Sequence, residues 1–332
     1  MKSLAIIGAG SWGTALSVVL APRFDDVRLW VYEPDLAVRI RETRQNDLYL
    51  PGFAIPINVL VSNDFQESLS GANLVLSVVP SHLVRSVYEQ MLPFLGPEMV
   101  FVSATKGLEN KTLLRSSEII QEVVSARFQP RITVLSGPTF AREVAALNPT
   151  AVVISSIDRP AAQCVQANFA SPSFRLYTSD DPIGVEIGGS IKNVVAIGAG
   201  VLEGMGLGHN PMAALITRGL AEMTRLAVAL GGEARTLAGL AGLGDLVLTC
   251  TGELSRNRAV GVELARGRKL DEIVGSMKMV AEGIKTTTAA VELARRCSIE
   301  MPITEQMYQM LHHGLDPKEA IRRLMERSLK GE

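Results

Sequence analysis

A glycine motif close to the N-terminus constrains the fold of this 332-residue chain more than any other feature. Residues 4–7 form a short apolar run typical of a buried strand, GAGSWG follows at residues 8–13, and residues 14–20 favour a helix. A GxGxxG motif between a strand and a helix is typical of a dinucleotide-binding βαβ unit, whereas an isolated match also occurs in plain structural turns. This context predicts dinucleotide binding.

The three glycines have separate roles in such a unit. Gly8 permits the tight turn, Gly10 lets the backbone approach a pyrophosphate, and Gly13 lets the helix pack closely on the strand. The free amides at the start of the helix, with the helix dipole behind them, then bind the phosphates. We therefore expect all three glycines to line the cofactor site.

The second predicted strand, residues 27–31, is followed by Tyr32 and Glu33. Glu33 lies about twenty residues after Gly13, where a carboxylate accepts from the ribose 2′-hydroxyl of NAD and repels a 2′-phosphate. Alternatively, Glu33 caps the charged helix predicted at residues 35–46. The sequence leaves both roles open.

Ligands bind beyond the carboxyl ends of the strands in a doubly wound sheet. Further strands are predicted at residues 73–79, 99–104, 132–135, 151–155 and 174–177. Lys106 follows the strand at 99–104, and SGPTF at 136–140 follows the next one. We expect both segments at the ligand-binding edge, although a loop lysine such as Lys106 can also simply face solvent.

Strand patterns stop after Asp180 and helical patterns follow. The predicted helices cover residues 185–202, 211–230, 257–266, 286–295, 303–311 and 317–329. A chain of this length is also too long for one ordinary core. We predict an α/β fold with an N-terminal Rossmann-like dinucleotide-binding domain at residues 1–180, followed by an all-helical substrate and catalytic domain at 181–332.

Composition narrows the class of protein. The 33 basic and 34 acidic residues nearly cancel, which argues against a nucleic-acid-binding surface. Three distant cysteines form neither a disulfide framework nor a metal-ligand pattern, which favours a reducing compartment. The glycines at 8–13 come too early in the chain for the apolar core of a signal peptide. No apolar run reaches the roughly 20 residues of a membrane span; the stretch at 182–210 comes closest, and its glycines, Lys192 and Asn193 argue against one. The prediction is a soluble cytoplasmic protein without membrane insertion.

The apolar stretch at residues 187–202 carries one charge, Lys192, which is followed by Asn193 and preceded by Glu186. Lysine is rarely buried without a partner, so a solvated helix is one interpretation. A lysine among apolar groups has a lowered pKa, which suits general acid–base catalysis. The small residues at 188–190 are expected to let cofactor and substrate approach closely.

Two later segments also carry polar groups. In AGLGDLVLT at 241–249, Asp245 and Thr249 are four residues apart and would project together from a helix, although Asp245 could instead cap it. In SRNR at 255–258, forked arginine donors stand beside a helix start, which is typical of a phosphate site. The alternative for SRNR is a surface charge cluster.

Together these segments predict a phosphorylated, carbonyl-bearing substrate beside a nicotinamide. Hydride transfer to a ketone builds negative charge on oxygen, so a proton donor must stand there. No histidine or aspartate set accompanies a serine or cysteine nucleophile. The four histidines, at positions 82, 209, 312 and 313, form no metal-ligand pattern, and no metal is predicted.

Six motifs occur in the order seen in bacterial-type NAD(P)-dependent glycerol-3-phosphate dehydrogenase, which the chain resembles from about residue 3 to residue 310. They are GAGSWGTA at 8–15, TKGL at 105–108, SGPTFA at 136–141, IKNVVAIGAG at 191–200, AGLGDLVLT at 241–249 and SRNRAVG at 255–261. The resemblance implies interconversion of sn-glycerol 3-phosphate and dihydroxyacetone phosphate with NAD or NADP, which supplies glycerol 3-phosphate for phospholipids. It also implies a homodimer.

The resemblance implies roles for individual residues. Lys192 is the proton acceptor in alcohol oxidation and the donor in the reverse reaction, Lys106 contacts substrate and cofactor, and Asp245 and Thr249 hold the substrate and orient Lys192. The remaining substrate contacts are Asn193, Arg256 and Asn257 at the phosphate, with Ser255, Gly137 and Thr139 completing the pocket. The cofactor positions beyond the glycines are Ser11, Trp12, Tyr32, Glu33, Lys106, Ala141, Arg256, Val280 and Glu282.

Many members of this family carry arginine or histidine near Tyr32, where a 2′-phosphate could be received, so the choice between NAD and NADP stays open. A β-hydroxyacid or 6-phosphogluconate type dehydrogenase is the alternative enzyme of similar build. The Asp245 block and the Arg256-Asn257 pair argue against it. A non-catalytic dinucleotide sensor is the third interpretation, and the set of Lys106, Lys192 and Asp245 argues against that one.

Overall fold

The first part of the chain forms one eight-stranded sheet in a computed structural model that describes residues 2–277, 281–329 and 331. The strands are β1 (Ser3–Ile7), β2 (Asp26–Trp30), β3 (Val59–Ser62), β4 (Leu74–Ser77), β5 (Val100–Ser103), β6 (Arg131–Ser136), β7 (Thr150–Ser155) and β8 (Phe174–Ser179). Their spatial order is β3-β2-β1-β4-β5-β6-β7-β8. The first six are mutually parallel, whereas β7 is antiparallel to β6 and β8 is parallel to β7.

Helices cover both faces of this sheet, as the nearly continuous apolar strand sequences require. They are α1 (Ser11–Leu20), α2 (Pro34–Thr43), α3 (Phe65–Leu69), α4 (Val84–Met91), α5 (Ser116–Val124), α6 (Ala141–Ala145) and α7 (Arg159–Phe169). In β1, Leu4 and Ile6 join the core on one face, while Ala5 and Ile7 join the core on the other. The order of the first six strands is that of the doubly wound dinucleotide-binding fold, so the predicted fold class is confirmed.

The second part of the chain is helical over the residues described. Its helices are α8 (Pro182–Gly204), α9 (His209–Ala229), α10 (Ala234–Leu237), α11 (Asp245–Thr251), α12 (Arg256–Ala265), α13 (Leu270–Ser276), α14 (Glu282–Arg296), α15 (Pro302–His313) and α16 (Pro317–Met325). The long helix α8 lies at the centre of this bundle and contacts α9, α11, α12, α14 and α15. Its buried residues run without a break from Gly184 to Leu202.

Within the part of the chain that the structure describes, α8 is the one helix whose length and composition would allow it to cross a membrane. The sequence expectation that no apolar run reaches this length is therefore wrong. Its apolar window is completely buried inside the protein, as the core helix of a soluble protein would be. The burial of α8 inside the protein accounts for its apolar sequence.

Every strand predicted from the sequence is present, with its ends shifted by one or two residues. The edge strand β3 was not predicted, because only four residues pair and Leu60 leaves 57% of its surface exposed on that strand. The last strand ends at Ser179, and Asp181 caps α8 by accepting from the amide of Gly184 at 2.8 Å. The division into domains at 180/181 stays a prediction.

Candidate active site

The glycine loop between β1 and α1 has the geometry of a phosphate cradle. Gly8 adopts φ +113°, a conformation that side chains disfavour, and a Cβ on Gly13 would lie 1.8 Å from the Gly8 carbonyl oxygen. Gly10 precedes α1, and a Cβ there would meet no atom of the described residues within 4 Å. No described side chain caps α1. These features fit a dinucleotide pyrophosphate.

Other predicted cofactor residues surround this loop. Ser11 begins α1 and donates its Oγ hydrogen to the carbonyl of Tyr49 at 2.7 Å, and the half-buried Trp12 packs on the sheet core. Ala141 begins α6, which packs against α1. The structure thus brings Ser11, Trp12 and Ala141 to the same end of the sheet as the glycines.

Glu33 follows β2 at this same edge, but its side chain does not cap α2. The Tyr49 hydroxyl donates to Glu33 Oε1 at 2.6 Å, and this bond raises the pKa of Tyr49 to about 12. The capping interpretation of Glu33 is therefore wrong. Tyr32 is 74% exposed and contacts Trp30 edge to face. Tyr49 was not predicted as a partner of Glu33, because it lies sixteen positions away in the chain.

Two lysines share one buried carboxylate at the carboxyl edge of the sheet. Lys192 Nζ on α8 donates to Asp245 Oδ1 at 2.5 Å and to Thr249 Oγ1 at 2.7 Å. Lys106 Nζ donates to Asp245 Oδ2 at 2.7 Å and to the Gly137 carbonyl at 3.1 Å. Asp245 is fully buried and Lys192 is 5% exposed. We call Lys106, Lys192, Asp245 and Thr249 the lysine–aspartate cluster.

Burial lowers the pKa of Lys192 to about 8. The Asp245 carboxylate opposes this effect, and the positive charge of Lys106 adds to it. The interpretation of Lys192 as a solvated surface residue is therefore wrong. An amine that titrates near neutral pH can both accept and donate a proton in one reaction cycle.

Asp245 opens α11, yet it does not cap that helix. Both carboxylate oxygens are bound by lysines, and the N-cap position belongs to Gly244, at the end of a π-helical turn, Leu240–Gly244. The capping interpretation of Asp245 is wrong. Thr249 Oγ1 donates to the Asp245 carbonyl at 2.6 Å and lies 3.4 Å from Oδ1, as the spacing of four residues predicts.

The SRNR segment begins α12 close to Asn193. Asn257 Nδ2 donates to Asn193 Oδ1 at 3.0 Å, and the Gly283 amide donates to Asn257 Oδ1 at 2.9 Å. Ser255 is the N-cap of α12, because its Oγ accepts from the amide of Arg258 at 3.3 Å. The Ser255 hydroxyl therefore has a structural role besides any contact with substrate.

Arg256 is exposed and, among the residues described, has no hydrogen-bond or ion-pair partner. Its neighbour in the motif, Arg258, is instead bound to Glu203 at 2.6 Å. The alternative of a surface charge cluster therefore stays open for the two arginines, whereas Ser255 and Asn257 are buried. An unpaired guanidinium beside a helix start is a ready anion-binding group.

Glu282 is the first residue of α14 and reaches back to the sheet. Its Oε2 accepts from Ser81 Oγ at 2.9 Å, and a Cβ on Gly107 would lie 3.3 Å from the same oxygen. Ser81 follows β4 and Gly107 follows β5. Glu282 therefore contacts the edge of the sheet at which we expect the cofactor to bind. The remaining predicted cofactor residue, Val280, lies outside the described residues.

The loop after β6 contributes Gly137 and Thr139. Gly137 adopts φ +149°, and its carbonyl accepts from both Lys106 Nζ and Thr139 Oγ1, the latter at 3.3 Å. A Cβ on Gly137 would lie 3.0 Å from the Val152 Cα. The structure therefore brings Gly137 against the lysine–aspartate cluster.

Gly188 and Gly189 on α8 allow close packing between protein segments, which the sequence did not indicate. A Cβ on Gly188 would lie 2.5 Å from the Ala241 carbonyl oxygen, and one on Gly189 would lie 2.6 Å from Ser136 Oγ. Protein atoms therefore occupy the space that these glycines leave. The expectation that the glycines admit cofactor and substrate is wrong, since they let α8 approach the segment before α11 and the end of β6.

Over the described ranges, no group of three or more histidine, cysteine, aspartate or glutamate side chains could hold a metal ion.

Comparisons with known proteins give one consistent result. The model of the NAD-dependent glycerol-3-phosphate dehydrogenase N-terminus matches residues 3–162, and that of the C-terminus matches residues 181–322. A glycerol-3-phosphate dehydrogenase [NAD(P)+] of Koribacter versatilis is 56% identical over 329 residues, which are 98% of each chain. One from Geobacter sp. (strain M21) is 53% identical over 331 residues, covering 100% of this chain and 99% of the relative.

Among solved structures, glycerol-3-phosphate dehydrogenase from Coxiella burnetii superposes with a TM-score of 0.94 at 42% identity. The match covers 98% of this chain and 99% of that chain. These matches do not favour the alternative of a β-hydroxyacid or 6-phosphogluconate type dehydrogenase.

Proposed function

Because the chain belongs to the NAD-dependent glycerol-3-phosphate dehydrogenase family, we propose that it interconverts sn-glycerol 3-phosphate and dihydroxyacetone phosphate with NAD or NADP. The chain is an oxidoreductase that supplies glycerol 3-phosphate for phospholipid synthesis. The observation that carries the proposal within the structure is the buried Asp245 carboxylate shared by Lys192 and Lys106.

Lys192 moves the proton. In alcohol oxidation its neutral amine takes the hydroxyl proton while the C–H bond breaks and the carbonyl forms. The bound nicotinamide supplies the acceptor for that hydride, and its reduced form supplies the donor in the reverse reaction. In the reduction of the ketone, the Lys192 ammonium returns the proton to the developing alkoxide. The pKa of about 8 suits both directions.

The other members of the lysine–aspartate cluster orient Lys192 and polarise the substrate oxygen. Asp245 and Thr249 accept two of the three Lys192 hydrogens, which leaves one direction for the substrate oxygen. Lys106 lies beside the same site, with 17% of its side chain exposed and its Nζ 2.7 Å from Asp245. We assign Lys106 to polarising the substrate oxygen, because a fixed charge stabilises negative charge developing on that atom.

The phosphate binds at the start of α12 in this proposal. Arg256 offers a guanidinium that no described residue hydrogen-bonds, and Asn193 Nδ2 is free of described partners because only its Oδ1 is engaged by Asn257. Ser255, Gly137 and Thr139 complete the pocket. An unphosphorylated ketone would leave these donors unsatisfied, so we expect strong selection for the phosphate.

The dinucleotide binds along the glycine loop, with its nicotinamide end towards the lysine–aspartate cluster. The residues that we assign to it are Gly8, Gly10, Ser11, Trp12, Gly13, Tyr32, Glu33, Lys106, Ala141, Arg256, Val280 and Glu282. The Tyr49 hydroxyl holds the Glu33 carboxylate, which we assign to the ribose. That arrangement supports the use of NAD, because a carboxylate repels the 2′-phosphate of NADP.

We also propose a homodimer in the cytoplasm, and a division into domains at residues 180/181. The three unpaired cysteines support a reducing compartment such as the cytoplasm. The change from strands to helices between Ser179 and Pro182 supports the domain division.

An absorbance assay at the nicotinamide band tests the reaction. Purified protein is mixed with dihydroxyacetone phosphate and either NADH or NADPH, and with unphosphorylated dihydroxyacetone as the control substrate. We expect turnover with the phosphate ester and at least one cofactor, and none with the control. Faster oxidation of a hydroxyacid than of glycerol 3-phosphate would overturn the proposal.

A further inference from the structure

Glu186 is a buried charge that the proposed reaction does not use. It lies on α8 six residues before Lys192, and its carboxylate contacts Arg115 and Ser117 at the start of α5. A buried carboxylate costs free energy unless it is paired and hydrogen-bonded. The contacts of Glu186 therefore need an explanation.

The carboxylate accepts three hydrogen bonds from the end of the segment 107–117, which runs from the residue after Lys106 into the first turn of α5. Its Oε2 accepts from Arg115 Nη1 at 2.7 Å and from Ser117 Oγ at 2.5 Å, and its Oε1 accepts from the Ser117 amide at 2.9 Å. Arg115 also pairs with Glu118 at 2.9 Å. The side chain of Glu186 on α8 thus holds the C-terminal end of the segment 107–117.

A second helical residue holds the near end of the same segment. Ser190 Oγ accepts from the Gly107 amide at 2.9 Å and donates to the Glu186 carbonyl at 2.7 Å. Gly107 is the residue directly after Lys106. The backbone at Lys106 is therefore tied to α8 one turn from Glu186.

Packing joins the segment to the same helix. Leu108 and Leu113 are buried in the core of the helical half, together with Ile187 and Ile191 of α8. Leu113 adopts φ +65°, a conformation that persists in non-glycine residues only where the surroundings impose it. The segment 107–117 is thus held on α8 as well as on α4, where Arg85 binds Glu109 at 2.9 Å.

We propose that Glu186 is a positioning residue for the reaction: it holds the segment 107–117 on α8 and so keeps Lys106 on Asp245. This inference rests on the proposed function for its kinetic tests. Lys106 is one residue from the Ser190 contact and 2.7 Å from Asp245, so a displaced segment removes one of the two lysines from the carboxylate.

The variant Glu186→Gln tests the proposal, because it keeps the shape of the side chain and removes its charge. We expect kcat for dihydroxyacetone phosphate reduction to fall about 10- to 100-fold, the loss typical of a small misplacement of a reacting group. An unchanged kcat in a folded variant overturns the proposal.

Glu222→Gln is the matched control. Glu222 is also a buried glutamate, and it accepts from two amides and one hydroxyl, those of Ile303 and Thr304. It holds the start of α15, away from Lys106. We expect a comparable fall in melting temperature in both variants, with kcat reduced only in Glu186→Gln; equal losses of kcat would show that general destabilisation explains the effect and overturn the proposal.

A double substitution separates positioning from a structural role. If Glu186 acts through Lys106, Glu186→Gln causes no further loss of kcat when Lys106 is already alanine. Losses that multiply in the double variant overturn the proposal. Should Glu186→Gln fail to fold, Ser117→Ala replaces it, since this variant removes one of the three contacts; a few-fold loss that disappears in the Lys106→Ala background is then expected.

Acylation of lysines, followed by mass spectrometry, gives a readout that does not need turnover. We expect faster labelling of Lys106 in Glu186→Gln than in wild type or Glu222→Gln, because the amine is released from Asp245. Equal labelling overturns the proposal. A wild-type protein without turnover, but with this labelling pattern, would reject the proposed function and leave the positioning role standing.

Discussion

The glycine loop and the lysine–aspartate cluster both lie beyond the carboxyl ends of sheet strands but are built in opposite ways. The loop consists of consecutive residues between β1 and α1, and its binding groups are backbone amides. The cluster draws Lys106, Lys192, Asp245 and Thr249 from three separate segments, and its working groups are side-chain charges. The loop depends on the absence of side chains, whereas the cluster depends on charged side chains held out of water.

This difference predicts different failures. A change in the cluster should abolish proton transfer while the cofactor still binds, because the loop is formed independently. A change in the loop should weaken cofactor binding or stability while the pKa of Lys192 is kept.

The largest expected effect follows from Lys192→Ala. Loss of the proton donor should lower kcat by about 10²- to 10⁴-fold, as for other general acid–base groups. Cofactor affinity, measured by fluorescence titration, should stay close to that of wild type. Turnover retained at the wild-type level would remove Lys192 from proton transfer.

Arg256→Ala is expected to act mainly on substrate binding. Losing charged hydrogen bonds worth about 1.5–3 kcal/mol should raise the KM for dihydroxyacetone phosphate about 10- to 100-fold, with a smaller effect on kcat. The melting temperature should not fall, since Arg256 has no partner among the described residues. An unchanged KM would place the phosphate elsewhere.

Two glycine variants distinguish a glycine needed for packing of the loop from a glycine needed for access of the cofactor. Gly13→Ala puts a Cβ 1.8 Å from the Gly8 carbonyl oxygen, so the free energy of unfolding should fall by about 1–3 kcal/mol. Gly10→Ala meets no described atom within 4 Å, so its melting temperature should be unchanged while cofactor binding weakens. Thermal unfolding and cofactor titration distinguish the two; equal melting temperatures would contradict the packing of Gly13.

The smallest expected effect is a shift in the pH dependence of kcat when Lys106 is replaced by alanine. Oxidation requires neutral Lys192, so kcat for glycerol 3-phosphate should rise as pH passes about 8, and kcat for ketone reduction should fall there. Because the charge of Lys106 lowers the pKa of Lys192, the residual activity of Lys106→Ala should show its midpoint at a higher pH. A midpoint that moves to lower pH would contradict this balance of charges.

Local patterns predicted most of the secondary structure and the glycine loop. The strand at 4–7, the glycines and the helix after them are neighbours in the chain, so their arrangement follows from short-range sterics and hydrogen bonding. The contact between Asp245 and Thr249 was also predictable, because a spacing of four residues brings two side chains together on any helix. The short edge strand β3 had too little local signal.

The sequence by itself determined that this chain builds a doubly wound sheet, a helical second half and six motifs of one dehydrogenase family. Tertiary structure decided the partners of the charged groups. Asp245 bridges two lysines instead of capping α11, and Glu33 binds Tyr49 instead of capping α2. It also decided that protein atoms, and not a ligand, pack against Gly188 and Gly189. The physical reason is range. Capping needs only neighbouring residues, whereas the energy of a buried charge depends on which distant groups the fold brings within hydrogen-bonding distance.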